Sequence, residues 1–324
     1  MKLLKRALIA VLILLLAFIV FYFWSSGESS KQKLFLIHHP VKTESISDST
    51  IKIMTYNIGY LSGMTNNTAN WKDNSFTELH YNQLINLLDT ENPDLIAFQE
   101  IDYHSKRSSW IDLHDSLTTR FYPWSVKAIN WDNNYVPFPY WPPRVNFGRI
   151  LSGQSVMSKW ELADPQREVL AKVKSNPFYY NAFYLDRLLV SAKVEHPVHD
   201  FLLMNVHSEA FDTLTRNEQL TDVYGKFKTA SQNQPVIIAG DFNASPESGE
   251  SGIRLFLNDS TIGCAGFQPN QPNYFTFSSG NPQERIDYLF YTKKDFVELS
   301  GRVAVEFGEI SDHLPVMARL KFKN

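Results

Sequence analysis

Acids, amides and histidines recur in this chain at one kind of position, the ends of short apolar runs: Asn57, Glu100, His207, Asp241, Asn243, Asp287, Asp312 and His313. The clearest case is residues 235–246. There an apolar, β-branched run breaks at Gly240 and leads into a loop closed by Ser245 and Pro246. Asp241 and Asn243 stand two apart, so in extended backbone their side chains project to one side. A carboxylate and a neutral amide at a strand mouth suit a metal ion, a water nucleophile or a phosphate oxygen. A turn that merely caps a core strand would use the same residues. The recurrence of such ends favours one shared site over a set of unrelated turns.

The elements that would carry these residues are legible as alternation and helical spacing. Strands are expected over 51–57, 94–100, 154–160, 185–195, 201–207, 236–239, 285–292 and 316–322. Helices are expected over 77–89, where Leu84, Leu87 and Leu88 share a face and Pro93 ends the run, and over 110–119 and 217–228. Residues 64–74 read as a loop over the site. Residues 121–147 read as an aromatic, proline-rich loop, too apolar for an idle linker, which either packs onto the domain or lines a substrate cleft.

Composition narrows the class. A hydrophobic share of 44% and an aromatic share of 14% describe a packed body rather than a disordered chain. Lys and Arg number 31 against 34 Asp and Glu, so the basic footprint of a strong non-specific duplex binder is missing. Cys264 is the single cysteine, which excludes an intramolecular disulfide and a zinc site built on several thiolates.

At the N-terminus, Lys2, Lys5 and Arg6 precede an uninterrupted apolar run from Ala7 to Trp24. At about 1.5 Å per residue this run spans roughly 27 Å, close to the hydrocarbon thickness of a bilayer. The basic residues place the N-terminus in the cytoplasm and the rest of the chain outside, with the aromatic end of the run at the far interface. Cleavage as a signal peptide would fall after Gly27, but the long apolar run and its bulky end favour a retained anchor. The expected organisation is a cytoplasmic basic segment at 1–6, a transmembrane signal anchor at 7–24, a stalk at 25–50 with one short strand at 34–37, and a catalytic domain at 51–324.

The order of the motifs resembles the endonuclease/exonuclease/phosphatase superfamily of metal-dependent phosphodiesterases, of the deoxyribonuclease and sphingomyelinase type. The matching pieces are Met54 to Asn57, Phe98-Gln99-Glu100, Gly153 to Ser158, Asn205-Val206-His207, Gly240 to Asn243, Arg285 to Tyr288 and Ser311 to Val316. The resemblance implies an α/β fold, a four-layer sandwich of two face-to-face mixed β-sheets with helices outside. It implies a site where strands of both sheets end.

Within that frame Asn57, Glu100 and Asp312 are expected to hold a hard cation, Mg²⁺ or alternatively Mn²⁺. Asp241 is expected to deprotonate or orient the attacking water, with Asn243 donating to the phosphate or to that water. His313 and Asp287 form an expected His–carboxylate pair, and His207 is a second donor to the phosphate. Arg187 either faces the phosphate or, more simply, pairs with Asp186 or another acid. The expected substrate is a phosphodiester, nucleic acid or lipid head group, with membrane attachment through the N-terminal helix and no obligate protein partner. The alternatives are a phosphomonoesterase acting on a soluble sugar or inositol phosphate, and a binding module on the same fold that does not catalyse.

Overall fold

Residues 50–57 show why the body must be layered. Ile51 and Ile53 pack into a core shared with Leu203, Ile237 and Leu289, while Met54 and Tyr56, on the opposite face, pack with Leu84 and Leu88. A strand apolar on both faces has to be covered on both. The structure, a computed structural model, describes every residue except 42–48, 71, 248, 250, 270, 272 and 324.

The chain begins with α1 (Lys2–Ser25), β1 (Leu34–His38), β2 (Thr50–Asn57), α2 (Asn74–Glu91), β3 (Leu95–Asp102) and α3 (Leu113–Phe121). It continues with β4 (Trp124–Val136), β5 (Gly148–Ser158), β6 (Glu161–Val169), α4 (Phe178–Asn181), β7 (Leu188–Glu195) and β8 (Phe201–His207). The last part is α5 (Thr213–Ser231), β9 (Val236–Asp241), α6 (Ser251–Leu257), β10 (Ile262–Cys264), β11 (Asp287–Thr292), β12 (Phe296–Val303) and β13 (Val316–Phe322). Among the described residues these strands form two mixed sheets, ordered β1-β4-β5-β3-β2-β13-β12 and β10-β11-β9-β8-β7-β6. One core fills the space between the sheets, a second lies under α2 and α3, and a third under α5 and α6. This is the four-layer α/β sandwich that the resemblance implies.

Local chemistry sets the helix ends. Asp73 caps α2 by accepting from Phe76 N–H at 3.0 Å, and Asn92 ends that helix in the left-handed conformation before Pro93. Asp212 caps α5 through Thr215 N–H at 2.8 Å.

One sequence expectation is corrected. Residues 121–147 are not one loop, because 124–136 form β4, which pairs with both β1 and β5. Its polar residues hide the alternation because they are buried with partners. Asp132 accepts from Arg149 Nη1 at 2.7 Å and Ser30 N–H at 2.7 Å, and Asn133 donates to Ala182 O at 2.9 Å. Within the segment 25–50 the short strand expected at 34–37 is present, one residue longer. Leu34–His38 is a sheet strand paired with β4 from Leu34 opposite Ala128 to His38 opposite Trp124. Ahead of it, Ser29 and Ser30 N–H donate to Asp132, and Gly27 O accepts from Asn134 N–H at 3.0 Å. The chain is thus fastened to the body as soon as α1 ends. The remaining stalk residues, 42–48, lie outside the described residues. α1 itself is long and apolar enough to cross a membrane, with a mean hydropathy of 2.9 over its best window and none of that window buried.

Gly240 fixes how β9 approaches β8. Its φ is +151°, and a Cβ there would lie 2.0 Å from the carbonyl oxygen of Val206. Gly240→Ala is therefore expected to destabilise the protein by roughly 2 kcal/mol or more, read as a lowered denaturant midpoint.

Candidate functional site

Alternation aims the strand ends into the space between the sheets. Ile51 and Ile53 of β2 face the inter-sheet core, and Asn57, an even number of residues further on, faces it too at the carboxyl end. Ile237 and Ala239 do the same for Asp241 in β9, Phe201 and Leu203 for His207 in β8, and Leu289 for Asp287 in β11. The parallel pairs β2/β3 and β8/β9 finish at one mouth, so these residues meet. Asn57 Nδ2 donates to Asp241 Oδ2 at 2.9 Å across the two sheets, and Asp287 stands opposite Asp241 in register.

Glu100 arrives by another route. Ile96 and Phe98 face α2 and α3, so strict alternation would send Glu100 after them, away from the mouth. The β3–β5 register shifts between Phe98 and Ile101, and Glu100 takes φ +51°. A non-glycine residue adopts that conformation at a cost of roughly 1–3 kcal/mol. The bulge swings the carboxylate into the cleft, where Asn66 Nδ2 donates to its Oε2 at 3.1 Å and to Asp312 Oδ2 at 3.4 Å. Two carboxylates share one neutral amide. Burial, and then the charge of Asp312, push the Glu100 carboxyl above its ordinary range.

His313 lies beside them. Its Nδ1 is 2.9 Å from Asp287 Oδ2, Phe277 packs on the ring, and Nε2 faces Asp241 Oδ2 at 3.9 Å. Burial opposes a charge on His313, yet the carboxylates of Asp287 and Asp241 outweigh it and hold the imidazolium well above its usual pKa. Burial also pushes Asp241 upward, a shift that His313 opposes and Asp287 adds to.

His207 is different in kind. Burial and the adjacent Arg187 drive its pKa well down, so it is neutral, and its approaches to Glu100 (3.8 Å) and Asp241 (3.6 Å) are not ion pairs. Arg187 Nη1 donates to His207 Nε2 at 2.6 Å, which leaves the proton on Nδ1. Arg187 is held in turn by Tyr184 OH at 2.9 Å and by Glu209 at 3.5 Å.

All the predicted residues therefore gather at one mouth. Glu100, His207, Asp241, Asn243, Asp312 and His313 line a cleft of about 1460 Å³, with Asn57 and Asp287 directly behind Asp241 and His313. Three expected roles meet geometry that redirects them, the first being that of His207, whose Nε2 accepts from Arg187 and so does not donate to a phosphate. The two amide hydrogens of Asn243 go to Ser208 O (3.0 Å) and Asp241 Oδ2 (3.2 Å), so its side chain orients Asp241 and does not point a donor outward. Asn57 spends its amide on Asp241, and its Oδ1 accepts from Gly59 N–H at 3.1 Å. Arg187 reaches the cleft, and the acid it pairs with is Glu209 rather than Asp186, which takes Arg167 and Lys172. Asn66 and Glu209 were not singled out in the sequence. The Asn- and Thr-rich composition of 64–74 pointed to the loop carrying Asn66 but not to the residue.

Among the described residues, two sets of side chains could hold a metal. Asp241, Asp287 and His313 bring ligand atoms within 4.8 Å of one another, but their own hydrogen bonds already join them and Asn57 and Asn243 to one another. Glu100 and Asp312 offer hard oxygen donors with only Asn66 between them, the better chemical match to Mg²⁺ or Mn²⁺.

The chain belongs to the Endonuclease/Exonuclease/phosphatase family, whose model matches residues 54–313. Its members are hydrolases. No curated protein sequence matches the chain. Solved structures of the same fold include the human Nocturnin catalytic domain with a bound sulfate anion, at 17% identity over 90% of this chain and 98% of that one, with a TM-score of 0.57. Another is D. rerio TDP2 complexed with single-strand DNA product, at 16% identity over 85% of this chain and 100% of that one, TM-score 0.58. A third is a Bacteroides thetaiotaomicron mannosyl-6-phosphatase, at 15% identity over 85% of this chain and 100% of that one, TM-score 0.57. At such identities the likeness establishes the fold and leaves the substrate to the site.

Proposed function

We propose that this chain is a membrane-anchored, extracytoplasmic hydrolase of phosphodiester bonds that depends on Mg²⁺, with Mn²⁺ as a substitute. The observation that carries the reading is the pair Glu100 and Asp312, two acids sharing one amide beside a His–Asp pair and a second carboxylate, all in one cleft. A divalent cation held by Glu100 and Asp312 would supply Lewis-acid stabilisation of charge on the phosphate oxygens.

The chain's own residues account for the remaining needs. Asp241 is held in place by Asn57 and Asn243 and accepts the proton of the attacking water, for which its raised pKa suits it. The imidazolium of His313, steadied by Asp287, donates from Nε2 to a phosphate oxygen as negative charge builds. Arg187 adds positive charge from the opposite wall, positioned by Tyr184, Glu209 and His207. α1 carries the anchor, with 1–6 on the cytoplasmic side and the catalytic domain outside.

The phosphomonoesterase alternative has less support. A terminal phosphate dianion calls for several cationic donors, whereas Arg187 and His313 are the cations placed at the phosphate here, and Arg216 donates to the Glu209 and Ala210 carbonyls. The binding-module alternative does not explain why every catalytic position is filled.

The test is turnover of bis(p-nitrophenyl) phosphate by the full chain. Excess chelator is expected to abolish it, and Mg²⁺ or Mn²⁺ to restore it. Turnover that survives chelation would overturn the metal-dependent reading.

A further inference from the structure

The cleft does not end at the catalytic residues. It runs without interruption from Glu100, Asp241 and His313 to Phe18, Ile19, Tyr22 and Phe23 of α1. Phe18 stands six residues before Trp24, so the apolar end of the cleft follows the helix for about 9 Å inward from its aromatic end. That depth takes it past the interface and into the acyl region of a bilayer. The helix end is fixed there. Asn134 Nδ2 donates to Trp24 O at 3.0 Å, Asn133 Nδ2 donates to Ser26 O at 3.2 Å, Trp24 stacks on Tyr135, and Tyr22 meets Phe183 edge-on.

The rim near α1 is aromatic and exposed. Phe178 and Phe211 are each 77% exposed, with Tyr140 and Tyr179 on the same rim. Large apolar rings left in water around a concave site mark a surface that meets something apolar. Here the neighbouring surface is a helix of membrane-spanning length whose own side chains are exposed.

We propose that the cleft takes a bilayer lipid bearing a phosphodiester head group, drawn from the outer leaflet between the end of α1 and this aromatic rim. The inference rests on the phosphodiesterase reading above and names the substrate class. The phosphate lies among Arg187, His313 and Glu100, and the acyl chains follow Phe18 to Phe23 back toward the membrane. The oxygen of water bonds to phosphorus, one P–O ester bond breaks, the alcohol leaves with a proton, and a phosphomonoester remains. A nucleic acid fits less well. A polymer threading the cleft would run into the bilayer beside α1, and the rim gives it rings rather than the cations that track a phosphate backbone.

The experiment uses the full chain in vesicles of phosphatidylcholine, phosphatidylglycerol and sphingomyelin with Mg²⁺. Release of phosphomonoester from each lipid is measured beside turnover of bis(p-nitrophenyl) phosphate and of added single-stranded DNA. At least one vesicle lipid is expected to be hydrolysed in preference to DNA. In a Phe178→Ser, Phe211→Ser variant the ratio of lipid to soluble-diester turnover is expected to fall at least about tenfold. Soluble-diester turnover without lipid turnover, a preference for DNA, or an unchanged ratio in the variant would each overturn the lipid assignment and leave the phosphodiesterase standing. Failure on every substrate would instead remove the phosphodiesterase reading, and this inference with it.

Discussion

Asp241→Asn is expected to lower turnover of a soluble phosphodiester by roughly 1000-fold, about 4 kcal/mol of transition-state stabilisation, while leaving the fold intact. On the proposed reading the Asp241 carboxylate takes the proton from water, and its raised pKa suits it to that role. It accepts from Asn57 Nδ2, from Asn243 N–H at 2.8 Å and from Asn243 Nδ2, and it faces the Nε2 atoms of His207 and His313. An amide keeps the shape and loses the basicity. The expected effect on stability is neutral or favourable. Burial raises the pKa of Asp241 in the folded protein, so its ionised form weakens folding at neutral pH. Asn removes that charge, while its NH₂ group meets donors that the carboxylate accepted. The two effects oppose each other, and the melting temperature is expected to hold or rise. Loss of turnover with an unchanged or higher melting temperature separates a catalytic role from a structural one. Full activity in this variant would remove Asp241 from the chemistry.

How far the site was legible in the sequence depends on whether local pattern decided each position. Asn57, His207, Asp241 and Asp287 could be read because alternation from apolar neighbours settles which face of a strand they take. Asp312 and His313 are neighbours in the segment before β13, where alternation cannot aim both, and only the order of the motifs made them visible. Glu100 could be named but not aimed, since alternation alone points it at the helices and only the bulge after Phe98 reverses it. Arg187 was harder. Beside Asp186 it reads as half of a local ion pair, but β7 begins at Leu188 opposite His207, and that register carries the guanidinium to the cleft. No local window contains an antiparallel register. The same limit concealed β4, whose buried Asp132 and Asn133 look like loop residues until their partners on the N-terminal linker and near Ala182 are seen. It concealed, too, that α1 walls the cleft.

Glu100→Gln bears on which side chains hold the cation. The wild-type protein is expected to melt at a higher temperature as Mg²⁺ is added, because an ion bound only by the folded state stabilises it by mass action. In the variant that rise is expected to disappear, with affinity lowered at least about 100-fold. Removing an outer-shell partner of a ligand costs 10–100-fold, and a direct ligand costs no less. Without metal the variant is expected to be at least as stable as wild type. Burial and Asp312 raise the Glu100 carboxyl, so ionising it weakens the folded state, and the neutral amide relieves that crowding while still accepting from Asn66. The two signs together are diagnostic: greater stability without Mg²⁺ and no further gain with it. If the variant kept the wild-type response to Mg²⁺, the ion would have to sit elsewhere. Among the described residues, Asp241, Asp287 and His313 are another group near enough to one another to hold it. His313→Gln would then abolish the Mg²⁺ response, whereas a cation held by Glu100 and Asp312 predicts that it leaves the response in place.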